Sequence, residues 1–461
     1  MARTTKILIG FSLLMLIATL LFGVISSAAF LYPGWFNENL PFYQLRPMHV
    51  SAALFWIITG AVAGLVHYRP GVFRTNDTKA LDVFTYTWVA TTLAVFVFYG
   101  LKKFGGREYW EFPPVLCVPI LVAWLALLYN WFSGWKRLKS PPLYVWMWTT
   151  GLCFFLFTFL EQNLYQIPWF RVSFLREVTV QWKSNGAMVG AWNQMINGTA
   201  LFIMVKLSRD RQIARGWKPF FFYFLGLTNL MFNWGHHIYN LPSASWIRHV
   251  SYAISMTEWI LFISIVRGFR QQLNTQQKYR HLLSYRFLIY AEYWVFANLT
   301  LALMMSVPAI NRYTHGTHIT VAHAMGTTIG INTMILLSSL GYMLRVDTVA
   351  EKTRISVVRW LGVFQAAFVV FWLSLIAAGI WKGYQEVGVG NINFRQVMVP
   401  IHQILHVFAL AGVVMLVSGC AIVLQYLRAL SGMRKQPLVI VAPSVVRPVQ
   451  KSTVHIKNKV S

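Results

Sequence analysis

Runs of about twenty apolar residues recur along this chain. No other feature limits its fold as much, because about twenty helical residues are what it takes to cross the hydrocarbon of a bilayer. The runs fall near 7–30, 49–68, 81–101, 114–132, 143–160, 185–206, 217–234, 246–266, 287–308, 320–344, 357–381 and 397–427. Lipid offers the backbone no hydrogen-bond partner, so each run must satisfy its own N–H and C=O groups as a helix. The expectation is an all-α membrane protein of about twelve transmembrane helices. Residues 1–430 form one bundle, and residues 431–461 form a basic cytoplasmic tail without periodicity, expected to be mobile. Composition agrees. Of 461 residues, 57% are hydrophobic and 11% charged, which excludes a soluble domain or a disordered chain.

The net charge of +27 is carried by Lys and Arg between the apolar runs and in the tail. With no soluble basic domain to hold it, nucleic acid is excluded as a partner, and the cations read as orientation signals. With Arg3 and Lys6 in the cytoplasm, the loops containing Arg69/Arg74/Lys79, Lys136/Arg137/Lys139, Arg209/Arg211/Arg215/Lys218, Arg267/Arg270/Lys278/Arg280 and Lys352/Arg354/Arg359 fall on the same side. Both termini are then cytoplasmic. The first run, Ile7 to Phe30, is too long for a signal-peptide core and is expected to be retained. Cys117, Cys153 and Cys420 all lie in apolar runs with no CxxC or CxxCH, so neither a disulfide framework nor covalently attached haem is expected.

This topology places four histidines at one depth. His49 opens the second helix from outside, His236 and His237 close the seventh at the outside, and His323 opens the tenth there. A lone membrane histidine can simply hydrogen-bond across a helix interface. Four from three helices at one level point instead to metal or haem, since neutral imidazole suits iron and copper.

The matching stretches are RPMHVSAALFW at 46–56, GREYWEFPP at 106–114, WGHHIY at 234–239, SMTEW at 255–259 and YTHGTHITVAHAMG at 313–326. In these the chain resembles the haem-copper oxidase superfamily, and most of all the catalytic subunit of bacterial cytochrome c-dependent nitric oxide reductase. The resemblance implies a twelve-helix bundle like haem-copper oxidase subunit I, in a bacterial inner membrane, with the metal site near the periplasmic side. It implies His49 as an axial ligand of a low-spin haem b and His323 as the ligand of a high-spin haem b. His236 and His237 would hold a non-haem metal, iron rather than copper, and Glu258 would be the catalytic glutamate near it, as metal ligand or proton relay. Glu108 would lie at a calcium ion beside the haem propionates and a membrane-anchored cytochrome c subunit.

The chain departs from that pattern in three places. In QWKSNGAMVGAWNQMINGT, residues 181–199, the family's third imidazole is replaced by Asn185, and its two glutamates by Val189 and Asn193. Asn185 could offer only its amide oxygen, a harder and weaker donor. Where the family has a second histidine, Met325 follows His323 by two positions, which sends the two side chains to roughly opposite sides of the helix. Met325 then either completes a His/Met pair with His49 or is apolar packing. The tyrosine that one class of oxygen-reducing oxidases carries four residues after the helix-six histidine is also missing, Val189 standing there.

The resemblance therefore implies an oxidoreductase acting on nitric oxide, reducing two NO to N2O with electrons from a cytochrome c. Three alternatives remain open. The helix-six substitutions also resemble NO dismutases, which turn two NO into N2 and O2. The chain could be a non-enzymatic haem protein that binds NO or transfers electrons. It could also resemble a terminal oxidase that reduces O2. The chain starts directly at its first helix, as the cytochrome-dependent reductases do.

Overall fold

The computed structural model describes residues 1–36, 40–71, 78–133, 135, 140–232, 234–235, 242, 244–255, 265–271, 273–390 and 393–432. Most of the expected tail lies outside the described residues. The helices that enter the argument are α1 (Arg3–Leu31), α2 (Phe42–Tyr68), α3 (Thr78–Gly100), α4 (Cys117–Phe132), α5 (Leu143–Gln162), α6 (Phe174–Ser208), α7 (Trp217–Phe232) and α8 (Ser245–Ser255), followed by α9 (Leu282–Ser306), α10 (His318–Met343), α11 (Glu351–Gly383) and α12 (Phe394–Gly432). No named β-strand occurs among the described residues.

Among the described residues nine helices are long and apolar enough to span a membrane, where the sequence suggested about twelve. The nine are α1 to α5 and α9 to α12. The sixth run forms a helix of 35 residues, but Arg176, Glu177, Gln181, Lys183, Asn185, Asn193 and Gln194 make it too polar to count by composition. The described parts of the seventh and eighth, α7 and α8, have 16 and 11 residues. α6 thus loses the apolar signature by composition, because polar groups and a lipid-like helix make opposite demands on sequence, whereas α7 and α8 fall short only in the length that the described residues cover.

Buried tryptophans tie the bundle together. Their indole N–H groups donate across helices, Trp88 to Thr59 Oγ1 at 2.9 Å, Trp124 to the Leu152 carbonyl at 2.9 Å and Trp148 to Thr199 Oγ1 at 3.0 Å. Such interhelical bonds contribute about 0.6–2 kcal/mol each in a bilayer. Glycines let the helices touch. A Cβ on Gly330 would sit 2.5 Å from the Trp294 ring, and one on Gly326 would sit against the Asn298 amide, so at these two positions α10 and α9 approach this closely because α10 lacks a side chain.

α10 is interrupted. From Gly326 to Thr333 it widens into a π-turn, directly after His323 and Met325. Thr333 Oγ1 donates to the Thr328 carbonyl five residues back and accepts the Trp56 indole N–H at 2.9 Å, so α2 grips the widened turn. Such single-turn π segments concentrate at functional sites.

Candidate haem and metal site

α2, α6 and α10 run parallel through the centre of the bundle. Trp56 meets Thr333, and further along both helices Tyr68 Oη meets Ser339 Oγ at 2.9 Å. Asn193 Oδ1 accepts from Asn332 Nδ2 at 3.1 Å. A Cβ on Gly64 would lie 3.5 Å from Ser339 Oγ and 3.9 Å from Thr199 Cγ2, so Gly64, Ser339 and Thr199 mark one layer of all three helices.

Counting back from that layer fixes heights. His49 precedes Gly64 by 15 residues, Asn185 precedes Thr199 by 14, and Met325 precedes Ser339 by 14. At about 1.5 Å per residue His49 and Asn185 lie about 21–23 Å from the layer, towards the same end of the bundle; the π segment shortens the rise on α10, so Met325 lies somewhat nearer the layer and His323 about 3 Å beyond Met325. The fold brings His49, Asn185, His323 and Met325 to one level on adjacent helices.

Their surroundings differ. The His49 ring points at α1, with Nδ1 2.9 Å from the Thr19 carbonyl oxygen and Cε1 2.9 Å from where a Cβ on Gly23 would sit. The imidazole therefore has room only because position 23 has no side chain. His323 keeps a buried Nδ1 with no hydrogen-bond partner. The Trp372 indole holds the adjacent turn through the Ala322 carbonyl, at 2.9 Å. Met325 is partly buried against the core. An unpartnered imidazole nitrogen, a thioether and a second imidazole at one height form a donor set that suits haem iron. The residues present fit that cofactor.

Asn185 is 7% exposed and its amide oxygen is fully engaged. Gln162 Nε2 on α5 and Gln181 Nε2 one turn earlier on α6 both donate to it, the latter at 3.0 Å. Gln162 in turn accepts from the Trp110 indole, and Gln181 also donates to the Glu108 carbonyl at 3.3 Å. A neutral amide cluster thus links the loop GREYWE to α5 and α6. Two donors fill both lone pairs of the Asn185 oxygen, so a metal could use it only by displacing one of them. On α6 the groups without partners are the Trp192 indole N–H and the Gln194 amide oxygen.

His236, His237 and Glu258 lie outside the described residues. Among the described residues no three His, Cys, Asp or Glu side chains converge as a metal shell. The side chain of Glu108 is exposed at the rim. Beside it, Arg46 pairs with Glu111, and Arg107 pairs with Glu177 and lies 4.4 Å over the Tyr165 ring. Burial pushes the Glu111 carboxyl above its ordinary value, against the opposing pull of Arg46. Tyr109 has φ 78°, a left-handed backbone that bulky residues rarely adopt, and its ring lies 6.3 Å from Trp192 on α6.

Sequence reading passed over several of these groups. Gln162 and Gln181 look like ordinary helix-end amides, and nothing in their spacing marks them. His402 and His406 on α12 were legible, since four residues apart is one helical face. His315, 5.8 Å from the Trp182 ring of α6, was legible only as part of the matching stretch.

The family model for cytochrome c and quinol oxidase polypeptide I matches residues 3–421. Among curated relatives, a nitric oxide reductase subunit of Stutzerimonas stutzeri is 22% identical over 362 residues, covering 72% of this chain and 73% of that protein. The cbb3-type cytochrome c oxidase subunit CcoN1 of the same organism is 22% identical over 413 residues, covering 82% and 84%. A haem-copper terminal oxidase dimer solved by cryo-EM superposes with TM-score 0.71 at 13% identity, covering 95% of this chain and 85% of that one. The match over nearly the whole length, with the fold that goes with it, means that this chain belongs to the haem-copper oxidase subunit I family, whose members are multi-pass membrane oxidoreductases that hold haems and a non-haem metal.

Proposed function

We propose that the chain is the catalytic subunit of an oxidoreductase acting on nitric oxide, reducing two NO to N2O. The observation that supports this over oxygen reduction is the face α6 presents at the level of His49 and Met325. One turn after Asn185 it offers the aliphatic Val189, without the phenol of the tyrosine-bearing oxidases; the missing imidazole at 185 separates the chain from both patterns alike. Identity alone does not decide, because the reductase and oxidase relatives named above are equally similar at 22%.

In this reading His49 and Met325 hold a low-spin haem b and His323 a high-spin haem b. His236 and His237 hold the non-haem metal, iron rather than copper, with Glu258 beside it as proton donor. When bound, the haems and the metal supply the electron-transfer and NO-binding chemistry. The chain's own contribution is to orient and to exclude. Trp56 and Thr333 fix the turn that presents Met325 and His323, and the amide cluster seals the α5–α6 side with neutral groups. The paired charges at Arg46–Glu111 and Arg107–Glu177, with Glu108 and a calcium ion, form the outer rim where a membrane-anchored cytochrome c subunit docks. The setting is a bacterial inner membrane with both termini cytoplasmic.

A second reading has its own support. Asn185, Val189 and Asn193 leave this face of α6 with no ionisable group, and Asn193 is bonded to Asn332. A site that disproportionates NO to N2 and O2 needs no net protons or electrons from outside and tolerates that neutrality. Mass spectrometry with isotopically labelled NO, run anaerobically with and without a reduced donor, separates the two. N2O formed only with donor supports the reductase. N2 and O2 formed without donor overturn it in favour of the dismutase. No gas product under either condition, with O2 consumed when it is supplied together with donor, overturns both.

A further inference from the structure

A second cluster of donors lies at the outer rim between α1 and α12, away from the haem level. Leu31 ends α1 twelve residues beyond Thr19, the residue whose carbonyl meets His49, and so about 18 Å further along the axis. There His402 and His406, one turn apart on α12, face the end of α1 with ring centroids 4.8 Å apart. Tyr32 Oη lies 2.8 Å from His406 Nε2, and the Tyr32 ring stacks on Trp35 at 4.8 Å.

The hydrogen bonds fix which nitrogens carry lone pairs. A carbonyl oxygen only accepts. His402 Nε2, 3.0 Å from the Leu31 carbonyl, therefore carries its proton and leaves Nδ1 as the lone pair. His406 Nδ1, 2.7 Å from the His402 carbonyl, carries its proton and leaves Nε2 to accept the Tyr32 hydroxyl. Metal binding uses the lone pair on each of these rings. Both are only partly buried and Tyr32 is 38% exposed, so an ion can reach them.

We propose that His402, His406 and Tyr32 form a site for a divalent transition-metal ion of the Cu2+/Zn2+ class, which clamps the outer end of α1 to α12. Imidazoles four residues apart on a helix form a natural chelating pair, and borderline metals prefer imidazole over harder donors. Metal–nitrogen bonds of about 2.0–2.1 Å bring two nitrogens to within about 3–4 Å of each other, in the range of rings whose centroids are 4.8 Å apart. On binding, the Tyr32 oxygen exchanges its proton for the metal and releases that proton to water. The His406 lone pair is then shared with the ion instead of with the hydroxyl. The three groups leave at least one coordination position open to the outer aqueous side.

The test is Cu2+ retention by the purified full-length protein in detergent, measured as metal per chain after gel filtration and by electron paramagnetic resonance. The wild type is expected to retain one more equivalent of Cu2+ than His402→Ala or His406→Ala, with nitrogen hyperfine structure that both variants lose. Tyr32→Phe keeps the nitrogen pattern but binds more weakly. Equal retention by wild type and both histidine variants, or no retained Cu2+ at this site in the wild type, overturns the proposal and leaves a hydrogen-bonded staple between the helices. Any variant that no longer elutes as the native species is replaced by His402→Gln or His406→Gln, which keep a side-chain hydrogen bond but not a metal-binding imidazole. The same two outcomes then decide.

Discussion

α6 and α10 run parallel, touch at Asn193 and Asn332, and reach the same level of the bundle, yet they arrive there in opposite condition. α10 presents an imidazole nitrogen that is buried and unpartnered, then a thioether, then a turn distorted into a π conformation. α6 presents Asn185, whose oxygen is satisfied twice over by neutral neighbours. Buried polar groups in folded proteins are nearly always paired, so an orphan calls for an explanation, of which a bound group is one. On this comparison α10 is the helix proposed to hold the cofactors, and α6 at position 185 closes a wall of neutral amides.

The comparison breaks first at His323. His323→Ala is expected to abolish the high-spin haem signal while a low-spin signal survives, because His49 and Met325 are untouched. An unchanged high-spin spectrum would mean that the orphan nitrogen marks no haem. Met325→Leu is the companion measurement. The loss of a weak near-infrared methionine-to-ferric band expected there would separate ligation from apolar packing.

At Asn185 the expected effect is smaller and concerns stability. Asn185→Leu removes the acceptor of the buried Gln162 amide and leaves Gln181 only the Glu108 carbonyl, at about 1–3 kcal/mol for each bond unmade. Thermal unfolding of the purified protein should fall clearly below wild type while the haem spectrum is retained. A variant as stable as wild type would show that the cluster is not the seal described here. Asn185→His sharpens the same point. It restores an imidazole beside the metal ligands proposed at His236 and His237 and is expected to raise bound iron per chain, and an unaltered metal content would mean that position 185 does not face that metal.

Trp56→Phe probes the grip of α2 on the π-turn. It removes one indole hydrogen bond to Thr333 and some volume, a loss of about 0.6–2 kcal/mol in a bilayer setting. Thr333 keeps its bond to Thr328, so the turn itself should survive. What should move is the reduction potential of the haem proposed at Met325, read by spectroelectrochemistry. A variant with both stability and potential unchanged would make the Trp56 contact incidental.

Much of this was legible in the sequence, and what was not has a physical reason. Apolar length reads directly as a spanning helix where a helix faces lipid or apolar neighbours, as α1, α2 and α12 do. It fails on α6, because a helix that lines a polar site replaces apolar residues with Lys183, Asn185 and Asn193, and composition cannot tell that from a soluble helix. The heights of His49 and Met325 were within reach of sequence, since rise per residue is fixed once the helices are known to be parallel. The donors to Asn185 were not, because Gln162 and Gln181 meet it from different helices and only the packing decides which amide faces which. The π-turn was equally hidden, since GTTIGINT carries no helix-breaking signal.

The smallest expected effect lies at His315, where the loop before α10 meets α6. Burial holds its imidazole below the ordinary value near 6.5, with the Trp182 ring 5.8 Å away. A buried neutral histidine resists charging, so the unfolded chain takes up this proton at a higher pH than the folded one. Its contribution to stability is complete above about pH 6.5 and is lost as the pH falls from there through the lowered folded-state value. Below that value both states are protonated and the loss levels off. His315→Gln cannot charge, so its melting temperature should fall less steeply than the wild type's as acid is added within that window, and the two curves should run parallel above it. Parallel curves throughout would mean that the ring titrates as freely in the folded protein as in the unfolded one. The contact between the α10 loop and α6 would then be open to water, and the wall described at Asn185 would end before it reached this loop.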